Sequence, residues 1–144
     1  MIRVFLDSSA FFSAIVSSTG AARELIRLAV NEEIQLVISD DVVKETRRNI
    51  MRKAPELSTL LDRLLEGINF ELVSSPDKTA VWAAETYVAQ KDAFIIAAAI
   101  DAQVDQLATF DRKHLIDPPE VSEKSGLNIG TPGDILNEIR RTSN

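Results

Sequence analysis

Short runs in which nearly every position is apolar alternate along this chain with longer stretches whose apolar residues recur every three or four positions. "IRVFL" at 2–6 and "IQLVI" at 34–38 are runs of the first kind, and "DQLATF" at 105–110 is a third candidate. Near-continuous apolar runs suit parallel strands covered by helices on both faces. Helical spacing fills the intervals, with "SAFFSAIVS" and "AARELIRLAVNEE" after the first run and "DDVVKETRRNIMRKA" after the second. Strand followed by helix, repeated, predicts an α/β sandwich.

Residues 55–69 place Pro55 at a first helical position and space Leu57, Leu60, Leu61, Leu64 and Leu65 as a core-facing helix. "FELVSSP" reads as a short strand and loop. Residues 77–104 read as helix with a break around Gln90 to Asp92, and "DAFIIAAAI" is apolar enough all round to predict a buried helix. The stretch "GLNIGTPGDILNEIRR" predicts a short strand, a turn, and a helix starting near Thr131 with Pro132 just inside it. Gly130 to Gly133 belong to that turn, because neither dinucleotide-binding nor P-loop spacing is present.

The chain of 144 residues suits one domain, 1–144, with 45% hydrophobic and 26% charged residues. It contains no cysteine, which excludes disulfides, thiolate metal sites and a cysteine nucleophile, so any metal is held by oxygen or by the lone His114. No basic segment precedes a long apolar stretch, and the expected location is cytoplasmic, with no membrane span. A net charge of -6 argues against a general nucleic-acid coat protein and requires local cations wherever phosphates are met.

Of the 22 acidic residues, four stand where a strand ends or a helix begins. Asp7 directly follows the first strand, and Asp111 holds the same station after "LATF". Glu45 lies about a turn into the helix after the second strand, on the flank of a stripe formed by Val42, Val43, Thr46 and Ile50. Asp92 opens the apolar helix, whereas Asp101 falls on its other side and is expected at the surface. Each has an ordinary alternative: Asp7 could cap a helix, Glu45 could pair with Arg48, and helix amides could compensate Asp92. In open α/β sheets, however, the C-terminal strand ends converge on one edge, and four unpaired carboxylates there would repel one another. A hard, oxygen-ligated cation, Mg²⁺ or Mn²⁺, answers that repulsion, and phosphodiester hydrolysis is its natural chemistry.

The order "VFLDSSAFFSAI", "LVISDDVVKETRR", "KDAFIIAAAIDAQVDQLATFDRKHL" and "GLNIGTPGDIL" resembles the PIN-domain ribonucleases, in particular the small toxins of toxin–antitoxin pairs. The resemblance covers nearly the whole chain. It implies a three-layer α/β/α sandwich around a parallel sheet of about five strands. It implies Asp7, Glu45, Asp92 and Asp111 as catalytic and metal-holding residues for Mg²⁺ or Mn²⁺, with Ser9 and Thr109 orienting them. It also implies an RNA substrate, a homodimer, and an antitoxin that covers the acidic site; metal-dependent hydrolysis of that substrate is expected to leave a 5′-phosphate and a 3′-hydroxyl. Lys91 and Phe110 depart from the family pattern without removing a ligand.

Phosphates could meet a stripe of Arg47, Arg48, Arg52 and Lys53, with Arg48 and Arg52 the leading candidates, unless this is simply a solvated helix face. His114 suits a surface or supporting role better than that of a general base, and Trp82 and Tyr87 suit packing or a dimer face. Phosphatases with an aspartate nucleophile also begin with a strand ending in Asp, but they need a second Asp where this chain has Ser9. The alternatives to a toxin are a housekeeping RNA-processing nuclease and a catalytically silent binding module of the same fold.

Overall fold

A computed structural model of the protein describes residues 1–142. Its centre is β1 (Ile2–Leu6), flanked by β2 (Ile34–Ser39) and β4 (Gln106–Ala108), with β3 (Glu71–Val73) and β5 (Asn128–Gly130) at the edges. The order is β3-β2-β1-β4-β5, and every pairing is parallel. Phe5 sits opposite Val37 on one side and Leu107 on the other, and all three are fully buried because helices cover both faces of the middle strands, which therefore read as near-continuous apolar runs. The expected three-layer α/β/α architecture is the observed one.

Between the strands lie α1 (Ser8–Val16), α2 (Ala21–Val30), α3 (Asp40–Lys53), α4 (Ser58–Gly67), α5 (Lys78–Glu85), α6 (Gln90–Asp101), α7 (Pro119–Ser125) and, last, α8 (Pro132–Thr142). Helix α1 packs against α2 and α3, α2 against α8, and α5 against α6. The core joins Phe5, Leu6, Leu36, Ile38 and Leu107 of the sheet to Phe11, Ile15, Leu25, Ile50, Leu61 and Ile96 of the helices. Phe11 meets Phe70 edge-on, with ring centroids 5.5 Å apart.

Local chemistry explains most of the helix starts. Ser39 accepts the Val42 N–H at 3.2 Å and Asp77 accepts the Ala80 N–H at 2.9 Å, each closing a free amide of its helix. At α8, the Thr131 hydroxyl accepts the Asp134 N–H while the Asp134 carboxylate accepts the Thr131 N–H, both at 3.1 Å. The Thr131 backbone N–H foremost holds the Asp134 carboxyl below its ordinary value.

Three expectations need correction. The break in residues 77–104 falls at 86–89, where the Thr86 hydroxyl donates to the Ala83 carbonyl and Ala89 is extended, so Asp92 lies inside the first turn of α6 rather than at its start. Helix α6 is not buried all round: Ala93, Ile96, Ala97 and Ala99 form its inner side, while Phe94 and Ile100 are exposed. The leucine-rich stretch opens with a 3₁₀ turn (Pro55–Leu57) before α4, and Leu61 alone of its five leucines is fully buried. The other four pack against the core from its margin.

The chain builds β1, β2 and β3 outward in one direction and then returns to place β4 and β5 on the other side of β1. The strand order therefore reverses between β1 and β4. A crevice outside the C-terminal strand ends is expected at such a reversal.

Candidate active site

Asp7 follows β1 at that reversal, and its own N–H continues the ladder by donating to the Ala108 carbonyl at 3.1 Å. It caps α1: its Oδ1 accepts the Ala10 N–H at 2.9 Å and the Ser9 hydroxyl at 2.7 Å. Its Oδ2 accepts the Thr109 hydroxyl at 2.5 Å. The capping role and the site role thus belong to one buried carboxylate. Burial pushes its pKa up, although the bonds from Thr109, Ala10 and Ser9 oppose the shift.

Ser9 and Thr109 tie the two loops together. Besides donating to Asp7, the Ser9 hydroxyl accepts the Phe110 N–H at 3.0 Å, and the Thr109 hydroxyl accepts the Asp111 N–H at 3.0 Å. The loop after β4 is thereby pinned to the loop after β1, which fixes Asp111. The Asp111 carboxylate in turn accepts the His114 N–H at 3.0 Å, starting a π-helical turn over Arg112–Ile116.

Asp7, Glu45, Asp92 and Asp111 all border one cavity of about 410 Å³, together with Arg48, Lys91 and Ile95. The four expected acids are brought together from β1, α3, α6 and the loop after β4. Glu45 is exposed and, among the described residues, forms no ion pair with Arg48. Asp92 keeps its Oδ2 buried with no hydrogen-bond partner, so the helix amides do not compensate it. Its pKa is raised, first by desolvation and further by Asp111 and Glu45, with Lys91 and His114 acting in the opposite sense.

The basic stripe is not one surface. Arg47 pairs with Asp62 of α4 at 2.9 Å, and the Lys53 ammonium lies 5.5 Å from the centre of the Phe12 ring. Arg52 donates to Asn49 at 3.2 Å, and Arg48 faces the acidic cavity. Trp82 is 62% exposed, whereas Tyr87 packs against the core. Asp101 is exposed as expected.

Sequence reasoning gave His114 only a supporting role. Its Nδ1 lies 3.2 Å from each oxygen of Asp111. Among the described residues, Asp92, Asp111 and His114 present ligand atoms that all lie within 4.8 Å of one another, with Asp7 and Glu45 bordering the cavity around them. The spacing Asp-x-x-His was the available signal. An orphaned buried oxygen and a donor set of carboxylates with one imidazole fit a divalent cation, which would neutralise the repulsion.

A family model described as PIN domain matches residues 3–113. Among solved structures, VapBC2 from Rickettsia felis, bound to a DNA fragment from their promoter, aligns with a TM-score of 0.66 at 18% identity, over 90% of this chain and 98% of that one. PAE2754 from Pyrobaculum aerophilum aligns with a TM-score of 0.67 at 18% identity, over 97% and 90%. Mycobacterium tuberculosis VapC20, described as a sarcin-ricin loop cleaving toxin, aligns with a TM-score of 0.56 at 15% identity, over 76% and 91%. At these identities the likeness is one of fold. No curated protein matches the sequence.

Proposed function

The chain belongs to the PIN domain family, and from its site we propose that it is a metal-dependent endoribonuclease acting as the toxin of a toxin–antitoxin pair. The observation that carries this reading is the convergence of Asp7, Glu45, Asp92 and Asp111 on one cavity, with an oxygen of Asp92 left without a donor. The likeness in fold to VapC20, described as a sarcin-ricin loop cleaving toxin, supports the substrate class.

In this reading the four acids hold Mg²⁺ or Mn²⁺. When bound, such an ion supplies Lewis acidity toward the phosphate and lowers the pKa of a coordinated water. Asp7 presents its carboxylate in a fixed orientation because Ser9, Thr109 and the Ala10 amide hold it. Thr109 fixes Asp111 through its backbone. Arg48, at the cavity wall, meets the phosphate backbone, and Arg52, one turn further along α3, extends the contact. The products are a 5′-phosphate and a 3′-hydroxyl.

An antitoxin would silence the enzyme by covering this cavity. A second copy of the chain would cover the exposed Trp82 and Phe94, which share a cavity on α5 and α6, giving the homodimer. No helix among the described residues is long and apolar enough to cross a membrane.

The test incubates the purified chain with mixed RNAs in Mn²⁺, Mg²⁺ or chelator, beside the Asp7→Asn and Asp92→Asn variants. Cleavage should require the ion and both carboxylates. Cleavage that survives chelation or either substitution would sink the reading.

A further inference from the structure

We infer that His114 is a direct ring-nitrogen ligand of the divalent ion held by Asp92 and Asp111, so that this position takes Mn²⁺ in preference to Mg²⁺. The inference rests on the metal-dependent reading above and specifies its ion.

The turn after Asp111 creates the arrangement. By accepting the His114 N–H, the Asp111 carboxylate folds the chain back and carries the imidazole over itself. The Nδ1 atom then lies at the same 3.2 Å from both carboxylate oxygens. A ring N–H bound to an oxygen lies at about 2.7–3.2 Å, most often near 2.9 Å. Two atoms that each bind one ion at about 2.1 Å, at right angles, are about 3 Å apart. The equal spacing to both oxygens, at the long limit of a hydrogen bond, is also that of neighbouring ligands on one ion. Asp92 closes the third side, and its buried Oδ2 has no other partner to serve.

The ion's identity follows from the nitrogen. Mg²⁺ sheds water reluctantly and is held through oxygen, whereas imidazole favours transition-metal ions. A site of two carboxylates and one imidazole accordingly discriminates against Mg²⁺.

Mn²⁺ provides a readout independent of cleavage. Pulsed electron paramagnetic resonance of the untagged full chain loaded with Mn²⁺ should show modulation from a directly coordinated nitrogen, and with one histidine in the chain its assignment is unambiguous. His114 is partly exposed, so His114→Gln should fold, retain Mn²⁺ at the carboxylates and lose the nitrogen signal. Displacing Mn²⁺ should take about tenfold more Mg²⁺ in the wild type than in the variant. Bound Mn²⁺ without coordinated nitrogen would overturn the inference and leave the nuclease reading standing. A nitrogen signal that persists in His114→Gln would overturn it equally. Failure of the wild type to bind Mn²⁺ at all would overturn both.

Discussion

The Thr109 hydroxyl donates to the Asp7 carboxylate at 2.5 Å and accepts the Asp111 N–H at 3.0 Å, so one hydroxyl serves two acids from opposite ends of the chain. Thr109 is fully buried, and among the described residues no other side chain is hydrogen-bonded to both acids. The two acids are thus joined by a side chain that is itself fully buried.

Thr109→Val keeps the shape and deletes the hydroxyl, leaving an unmet acceptor on Asp7 and an unmet donor on Asp111. We expect a loss of about 1–3 kcal/mol of stability and a fall of about 10–100-fold in Mn²⁺ affinity. Thr109→Ser should retain most of both. Urea unfolding and Mn²⁺ titration measure the two effects, and a valine variant that binds Mn²⁺ like the wild type would contradict the role assigned to Thr109.

Asp7 gives a pH dependence of defined sign. Burial raises its folded pKa above the ordinary 3.8, so the folded chain holds this proton more tightly than the unfolded one. The stability from that proton is fully present below the unfolded value and is lost as pH rises through the folded value. In chelator, Asp7→Asn, which keeps a cap acceptor without the charge, should exceed the wild type at neutral pH by about 0.5–2 kcal/mol. That gap should close on acidification. A gap that does not change with pH would refute the cause assigned to it.

The arginines of α3 should separate by function. Arg48 faces the acidic cavity, and Arg47 is bound to Asp62. Arg48→Ala should weaken binding of a single-stranded RNA in chelator and reduce the salt slope by about 0.7. Arg47→Ala should leave both unchanged. Fluorescence anisotropy at several salt concentrations decides this, and equal losses from the two variants would restore the single basic stripe.

Thr46 carries a buried hydroxyl without a partner on the inner side of α3. Thr46→Val replaces it with a methyl of the same shape and should stabilise the chain by about 1 kcal/mol, because no hydrogen bond is lost. Denaturant midpoints measure the change. Cleavage should persist, since Thr46 faces the core and does not line the acidic cavity.

The sequence by itself determined the sheet and singled out four acids at strand ends and helix starts. Burial of the middle strands on both faces leaves near-continuous apolar runs, and the acids just past β1 and β4, Asp7 directly and Asp111 after Thr109 and Phe110, stand at the sheet edge. Glu45 and Asp92 stood out beside them by their places at helix starts, and the family resemblance names the same four acids. What only the tertiary structure decided is how these groups meet. The depth of the Asp92 oxygen depends on where α6 begins relative to its neighbours, the division of Arg47 from Arg48 depends on where α4 docks, and the approach of His114 depends on a turn closed by Asp111. A strand writes its burial into consecutive residues, whereas a site made from four segments is written in distances between residues far apart in the chain, which only packing sets.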